Sequence, residues 1–243
     1  MRGRIEAVLD WAGARGFRAG DNPARWRGHL DKLLPSRRKI ARVRHHAALP
    51  WRDCPEFMAA LREQDGVSAR ALEFLILSAT RTGETINALW DEIDIRQGVW
   101  RVPGSRMKGG REHRVPLSER ALDILEGLPR DDGGEFVFAG ARAKRPLSQM
   151  ALLMTLRRMG RGDLTAHGFR STFRDWAAEA TAYPREVAEM ALAHAVSDKV
   201  EAAYRRGDLF AKRRRLMAEW ARYCASPPRA EGAVVGLRGA AHG

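Results

Sequence analysis

The sequence predicts a mainly α-helical fold with a small antiparallel β-sheet, an α+β fold, and two observations carry this prediction. Most of the 243-residue chain has apolar side chains three and four positions apart, the spacing of one helix face. Residues 94–117 differ, because two short strand candidates, 99–102 and 113–115, flank a Gly109-Gly110 turn. A chain of this length can hold one sizeable core with additional elements.

Two helices are predicted at the N-terminus. Residues 2–16 carry apolar side chains at helical spacing. Asn22-Pro23 supplies an N-cap and a first-turn proline for a second helix, whose apolar residues are Trp26, Leu30 and Leu33. Two helices alone cannot form a stable core.

The remaining helices are predicted from residue 55 onward. The first two span 55–63 and 68–79, and the second is apolar nearly all round, which predicts a central position in the core. Further helices are predicted at 118–127, 147–159, 167–180, 184–192 and 207–223. Residues 226–243 are rich in Pro, Gly and Ala without periodicity, which predicts a disordered tail.

The charge balance favours a polyanionic partner. Lys and Arg number 43 against 30 Asp and Glu, a net charge of +13, which favours nucleic acid, although some basic proteins bind only anionic lipid. No apolar run approaches the roughly 18 residues that span a bilayer, and the N-terminus does not resemble a signal peptide. We therefore expect no membrane partner.

The cysteines and histidines do not form a metal-binding pattern. Cys54 and Cys224 lack CxxC spacing and are interpreted as reduced, structural cysteines of a cytoplasmic protein. The pair His45-His46 is adjacent, whereas paired metal ligands on a helix usually lie four residues apart. The sequence therefore predicts no metal site.

A cluster of reactive side chains lies in the second half of the chain. His167, Arg170, His194 and Tyr204 fall within about forty residues. A phenol has a pKa near 10, so roughly one in a thousand is ionised at pH 7, and it becomes a useful nucleophile only beside a base and stabilising cations. Arg170 can grip phosphate oxygens with two parallel N–H bonds, and on a helix it would share a face with His167.

Each of these residues also has a structural explanation when taken alone. Tyr204 could be a packing residue, and His194 a histidine at a helix end. His167 could simply begin a helix, and Arg170 could be a surface arginine. The functional interpretation depends on the combination and on two motifs that precede it.

The upstream motifs complete a family pattern. A Thr-Arg-x-Gly-Glu segment contains Arg81 and Glu84, and Lys108 precedes the Gly109-Gly110 turn. With the His-x-x-Arg pair, the second histidine and the tyrosine, these motifs occur in the order and approximate spacing of the tyrosine recombinases. From about residue 50 to 223 the chain resembles their catalytic domain, most closely in the integrases of prophages and genomic islands.

The resemblance implies a role for each matching position. Arg81 and Arg170 would bind phosphate, with Glu84 as the supporting acidic residue. His167 and Arg170 would form the His-x-x-Arg pair, His194 would be the second histidine, and Tyr204 the nucleophile. Lys108 would be the mobile catalytic lysine. All six key positions, Arg81, Lys108, His167, Arg170, His194 and Tyr204, match the family pattern.

The resemblance also implies a domain organisation. Residues 1–34 would be the C-terminal helices of a truncated core-binding domain, 35–52 a basic interdomain linker, 53–224 the catalytic domain and 225–243 a disordered tail. Basic runs are usually solvated, but the linker of this family follows the DNA backbone. The expected DNA contacts are five basic residues of the linker and the two arginines that follow Tyr204, namely Arg37, Arg38, Lys39, Arg42, Arg44, Arg205 and Arg206.

The implied activity is site-specific DNA recombination through a 3′-phosphotyrosine intermediate, without cofactor or metal. The expected partners are double-stranded DNA attachment sites and a DNA-bending accessory or excision factor. The expected assembly is a homotetramer on DNA, and the expected location is the bacterial cytoplasm, on the nucleoid when bound to DNA. Two alternatives remain open. A type IB-like topoisomerase would use the same residues but rejoin the original strand, and a truncated DNA-binding remnant would lack full recombination activity.

Overall fold

The chain forms two compact units, Met1–His45 and His46–Gly243. The computed structural model describes residues 1–35, 47–107, 109–129, 134–142, 144–194 and 207–227. Within these residues the chain is mostly helical and contains one three-stranded antiparallel sheet. The predicted α+β fold class is confirmed.

The first unit begins with helix α1 (Arg2–Ala14). None of the residues of α1 is buried, and its apolar side chains Ile5, Val8 and Trp11 are about half exposed or more. The described residues of this unit therefore bury little apolar surface, which agrees with the expectation that two short helices cannot build a core.

The regular second helix predicted after Asn22 is wrong. Asn22 caps no helix: its Oδ1 accepts a hydrogen bond from the Ala24 amide at 2.9 Å, and its Nδ2 donates to the Glu6 carbonyl at 2.8 Å. A distorted turn at Trp26–Leu30 and a single helical turn, α2 (Asp31–Leu33), follow. Gly28 has a φ of 77°, a left-handed conformation that glycine adopts at little cost and that interrupts the helix.

Among the described residues, the helices of the second unit follow the predicted number and order from residue 55, with one addition. They are α3 (Cys54–Arg62), α4 (Val67–Ser78), α5 (Thr82–Ile86), α6 (Glu119–Glu126), α7 (Ala151–Arg158), α8 (Phe169–Ala180), α9 (Arg185–Ala191) and α10 (Phe210–Ala225). Short α5 was not predicted. The predicted helices at 147–159 and 207–223 begin later than expected, at Ala151 and Phe210. Leu209, with a φ of 51°, prevents an earlier start of α10.

Helix α4 lies at the centre of the core, as its apolar sequence predicts. It packs against α3, α6, α7, α8 and α10, and nearly every residue from Ala69 to Ser78 is buried. Helix α10 is fixed across it by Trp220, whose indole N–H donates to the Ile76 carbonyl at 2.8 Å. This central packing brings the ends of α4, α8 and α9 together.

The sheet consists of β1 (Ile93–Asp94), β2 (Val99–Val102) and β3 (His113–Pro116) in sequential antiparallel order. The strands at 99–102 and 113–115 were predicted, and β1 was not. Arg101 pairs with Arg114, and Val102 with His113. Trp100 on β2 is fully buried against Phe74 of α4, which fixes the sheet on the core.

Cys54 and Cys224 are both free and buried, with their Sγ atoms 3.7 Å apart. Burial, together with the neighbouring Cys54 thiol, raises the pKa of Cys224 well above its ordinary value. The Cys224 thiol is therefore protonated, and both free cysteines are packing residues between α3 and α10, as the sequence predicts.

A buried carboxylate on α4 joins three elements. Glu73 has no exposed side-chain surface and accepts hydrogen bonds from Arg62 at 2.8 Å, Arg70 at 3.2 Å and Arg120 at 3.0 Å. Burial alone would raise the pKa of this carboxyl, but the bonds from Arg120 and Arg62 outweigh it and hold the pKa below its usual value. Glu73 therefore fastens α3 and α6 to the central helix.

We expect Glu73→Gln to lower the free energy of unfolding by about 3 kcal/mol, because it removes a buried charge and leaves three partly buried arginines without their counter-charge. A folded-state pKa below the unfolded one contributes stability above the unfolded pKa, and this contribution is lost as the pH falls through the folded value. The difference between variant and wild type should therefore shrink in acid. Urea unfolding at several pH values measures it, with exposed Glu63→Gln as the matched control. A variant as stable as the control at pH 7 would contradict the prediction.

Candidate active site

The corner between α4 and α5 positions Arg81. Ala79 ends α4 in a left-handed conformation with a φ of 52°, and Arg81 is the N-cap of α5. The buried Glu84 accepts the Arg81 backbone N–H at 2.9 Å and its guanidinium at 2.6 Å. Hydrogen bonds between buried hydroxyl groups also fix this corner, and they join Ser78 to Thr80 and Thr80 to Thr85.

His167 and Arg170 lie where the chain enters α8. His167 is exposed in a single 3-10 turn, Ala166–Gly168, whose N-cap Thr165 accepts the Gly168 amide at 3.1 Å. Gly168 is required here, because a Cβ atom would lie 2.1 Å from the Ala47 carbonyl oxygen. The first turn of α8 then directs Arg170 into the protein.

Arg170 is held rigidly, with only 4% of its surface exposed. Its two terminal nitrogens donate to the carbonyls of Ala79 and Leu192, each at 2.5 Å. Burial and, secondly, the nearby Arg81 lower the pKa of Arg170 to about 10, so the guanidinium remains charged at neutral pH. The two cations are thus close enough to repel each other, and the surrounding carbonyls hold them in place.

Three consecutive carbonyls at the C-terminal end of α9 organise this site, and we name residues 191–193 the carbonyl turn. Ala191 accepts a hydrogen bond from the His113 ring, Leu192 from Arg170, and Ala193 from Arg81 at 3.2 Å. Carbonyls at the C-terminus of a helix have no intrahelical partner and carry partial negative charge. The carbonyl turn therefore gathers side chains from β3, α8 and the start of α5 around one point.

His194 follows the carbonyl turn directly. Ala193 takes a left-handed φ of 47°, which turns the chain so that His194 Nδ1 lies 2.6 Å from Glu189 Oε2. Burial alone would raise the pKa of Glu189, but His194, Arg174 and Arg185 together lower it. An ionised carboxylate at Nδ1 leaves Nε2 of His194 to face another ligand.

His113 is a neutral histidine inside the site. Burial and then the charge of Arg213 lower its pKa to about 4, although its bond to the Ala191 carbonyl acts in the opposite direction. At neutral pH it therefore acts as a hydrogen-bond donor to the carbonyl turn and adds no charge.

The connection between β2 and β3 lies beside Arg81. Gly104 approaches the Gly110 carbonyl so closely that a Cβ would lie 2.7 Å from it, which closes the base of the connection. Arg106 donates to the Asn87 carbonyl and to Glu92. Arg81, Asn87, Arg106 and Met107 line an open cleft between this connection and α5. Lys108 lies outside the described residues, within this connection.

The remaining predicted site residues also lie outside the described residues. They are Tyr204, Arg205 and Arg206, and the linker residues Arg37, Arg38, Lys39, Arg42 and Arg44. The structure thus brings Arg81, Glu84, Arg170 and His194 to the carbonyl turn and places His167 one helical turn before Arg170. Glu189 and His113 are site residues that the sequence did not predict. A glutamate five residues before a site histidine is the one signal that could have indicated Glu189.

Comparison with known proteins supplies the family. Residues 49–208 match the model of the phage integrase family. The chain belongs to the phage integrase family. Prophage integrase IntA of Escherichia coli (strain K12) is 38% identical to this integrase-family chain over 172 residues, which cover 69% of the chain and 41% of IntA.

Solved structures share the fold of this integrase-family chain. A lambda integrase (residues 75–356) dimer bound to a COC′ core site has a TM-score of 0.56 at 20% identity, covering 80% of this chain and 70% of that one. A lambda integrase tetramer bound to a Holliday junction has a TM-score of 0.55 at 17% identity, covering 85% and 58%. The chain spans between 41% and 49% of the length of six curated relatives.

The described residues show neither a membrane-spanning helix nor a metal-binding cluster. None of their helices is long and apolar enough to cross a membrane. No group of three or more His, Cys, Asp or Glu side chains among them is arranged to hold a metal ion.

Proposed function

We propose that this chain is a tyrosine-type site-specific DNA recombinase that cleaves and rejoins DNA through a 3′-phosphotyrosine intermediate. One observation carries the proposal: Arg81 and Arg170 converge on the carbonyl turn, and His194 follows it directly. Two fixed guanidinium groups beside an oriented imidazole are suited to the charge of a phosphodiester in its transition state. The family membership of the chain supports the same activity.

In the proposed reaction the Tyr204 oxygen attacks the scissile phosphorus while the bond to the 5′-oxygen breaks. Arg81, Arg170 and His194 stabilise the negative charge on the non-bridging oxygens. Because hydrogen bonds already fix these groups before DNA arrives, little reorganisation is needed as charge develops. The 5′-hydroxyl of a partner strand then attacks the phosphotyrosine and releases the phenol.

The proton transfers are assigned to two other residues. His167 assists removal of the phenolic proton, and Lys108 protonates the leaving 5′-oxygen. Glu84 holds Arg81 through two hydrogen bonds. The phosphotyrosine link conserves the energy of the phosphodiester, so the proposed reaction needs no nucleotide cofactor and no metal.

We propose double-stranded DNA attachment sites as the substrate and a homotetramer as the active assembly. The net charge of +13 supports a polyanionic partner. The lambda integrase structures, bound to a core site and to a Holliday junction, suggest the same kind of complex by analogy of fold. A DNA-bending accessory or excision factor and a location on the bacterial nucleoid, in the cytoplasm, belong to the same proposal.

The roles of the domains are proposed from membership of the phage integrase family. Residues 1–34 would belong to a core-binding domain, and 35–52 to a linker that follows the DNA backbone through its basic residues. The exposed apolar side chains of α1 support the first assignment, because they leave a surface that a larger domain would cover. Residues 53–224 would be the catalytic domain and 225–243 a tail.

The test of the proposal uses the chain with nicked DNA duplexes whose cleavage releases a short fragment and traps the intermediate. A covalent protein–DNA adduct resistant to denaturant is the expected result, and a complete attachment-site pair should give recombinant products. Binding without any adduct would indicate a DNA-binding remnant. Relaxation of supercoiled DNA without recombinants would indicate a topoisomerase. Either outcome would overturn the proposal.

We expect Glu189→Gln to slow adduct formation by about 10- to 100-fold, the range known for removal of the partner that orients a metal-bound histidine. The amide keeps the size of the side chain but not the charge that fixes the His194 ring at Nδ1. DNA affinity should stay unchanged. The measurement is the single-turnover rate at saturating protein.

A double-mutant cycle controls this prediction, because Glu189 also pairs with Arg174 at 2.9 Å. In a His194→Ala background the change Glu189→Gln should have little further effect on the rate, since the group it orients is gone. Equal losses in both backgrounds would show that Glu189 acts through the fold and not through His194.

A further inference from the structure

Asp208 fixes the first described turn after the segment that contains Tyr204. Its carboxylate accepts two parallel hydrogen bonds from Arg114, from Nε at 3.0 Å and from Nη2 at 2.8 Å. It also accepts a bond from Arg213 Nη2 at 2.7 Å. Parallel bonds between a guanidinium and a carboxylate fix orientation as well as distance.

Arg213 closes the arrangement from α10. Its side chain is 1% exposed, and it donates to the Asp208 backbone carbonyl at 2.7 Å and to the Arg114 carbonyl at 2.6 Å. The ring of Phe210 lies 4.5 Å from the Arg114 guanidinium and 5.5 Å from that of Arg213. Burial would raise the pKa of Asp208, but the bonds from Arg114 and the charge of Arg213 lower it. We name Asp208, Arg114 and Arg213 the clamp.

The clamp and the carbonyl turn meet the same strand. His113 on β3 donates to the Ala191 carbonyl, and the next residue, Arg114, grips Asp208. Successive residues of a strand point to opposite faces, so β3 holds the carbonyl turn with one residue and the clamp with the next. The strand therefore fixes the distance from Asp208 to the carbonyl turn, which binds Arg81 and Arg170.

Asp208 is close to Tyr204 along the chain. It follows Tyr204 by four residues, whereas His194 precedes Tyr204 by ten. Among the described residues, Asp208 is also the first one after Tyr204 whose side chain is fixed by hydrogen bonds. Of Asp208 and His194, Asp208 is therefore the fixed residue nearer to the tyrosine in sequence.

We propose that Asp208, held by Arg114 and Arg213, is a positioning residue that sets the Tyr204 hydroxyl in line with the phosphorus. The proposal rests on the proposed function, since it assigns Tyr204 as the nucleophile. In this proposal Asp208 affects the position of the nucleophile and does not affect the activation of the phosphate. The two effects can be measured separately.

The first measurement is the rate of adduct formation by Asp208→Asn on nicked DNA. The amide is the same size but weakens the charged bonds to both arginines, and a displacement of about 1 Å in the nucleophile can cost about 100-fold in rate. We expect a loss of that order with unchanged DNA affinity and unchanged cooperativity of unfolding. Asp163→Asn is the matched control, because Asp163 also pairs with an arginine, Arg161, but is 62% exposed. It should react like wild type.

The second measurement separates the nucleophile from the phosphate. In a Tyr204→Phe background, hydroperoxide anion from added hydrogen peroxide can attack the same phosphorus, with the 5′-oxygen leaving as a hydroxyl after protonation. Cleavage by peroxide should proceed at the same rate with and without Asp208→Asn, because the arginines and His194 are untouched. A structural defect that spread through the site would slow both reactions.

The outcomes distinguish the two proposals. If wild type forms no adduct, the proposed function is wrong, and the role of Asp208 fails with it. If wild type reacts and Asp208→Asn reacts as fast as the Asp163→Asn control, Asp208 does not position Tyr204. Equal losses in the tyrosine and peroxide reactions would also overturn the inference, because they would place the defect in phosphate activation or in the fold.

Discussion

Tyr204→Phe is expected to abolish covalent attachment to DNA and to leave DNA binding intact. The substitution removes only the hydroxyl oxygen, so packing is nearly preserved while the proposed nucleophile is lost. The chain contains three tyrosines, and the other two serve the fold. Tyr183 donates to Glu219 at 2.7 Å, and Tyr223 donates to the Trp51 carbonyl at 3.0 Å. Burial and Glu219 also raise the pKa of Tyr183, which makes it a poorer nucleophile.

Denaturing gels of reactions on nicked DNA measure the adduct, and gel shifts on intact duplex measure affinity. Tyr183→Phe and Tyr223→Phe are the matched controls, and both should form the adduct. An adduct formed by Tyr204→Phe would transfer the nucleophilic role to one of these two residues.

Arg170→Ala should lower the rate of cleavage by about 1000-fold, the upper range for removal of one preorganised donor to a transition state. Arg170 is fixed by the carbonyls of Ala79 and Leu192, so its remaining N–H groups are oriented before substrate binds. Arg170→Lys should recover little of the rate. An ammonium group is a point charge and cannot donate to both carbonyls while it also forms two parallel bonds to phosphate.

The experiment compares single-turnover rates at saturating protein, together with the unfolding midpoint of each variant. Arg161→Ala is the control, because Arg161 is a partly exposed arginine whose partner is the surface residue Asp163. If Arg170→Lys cleaves as fast as wild type, the contribution of Arg170 is charge alone and its hydrogen-bond geometry is unimportant.

Local sequence patterns predicted the central helix well, and they proposed site residues of which the structure brings several together. A helix with apolar side chains on all faces, such as α4, removes them from water only when it lies inside a core, and α4 does lie there. The site residues are linked by motifs of short range, such as the Arg81–Glu84 pair at the start of α5. Such pairs follow from helix geometry and can be recognised without a fold.

The parts of the site that the sequence did not predict depend on tertiary contacts. His113 meets the Ala191 carbonyl across 78 positions of the chain, and Arg114 meets Asp208 across 94. No periodicity encodes such contacts. The wrong prediction after Asn22 has a different cause: an asparagine followed by proline suits a helix start and also a turn, and Gly28 interrupts the helix. Short-range rules could not decide between the two.

The carbonyl turn has a consequence for how this protein tolerates mutation. The partners of Arg81, Arg170 and His113 there are main-chain oxygens, which every amino acid supplies. A side-chain scan of residues 191–193 would therefore report packing and backbone conformation, and would leave the hydrogen-bond acceptors intact. These contacts would become visible only through a chemical change of the backbone itself, such as an ester in place of an amide. The part of the site that holds its cations is thus encoded by the path of the chain and not by the identity of the residues along it.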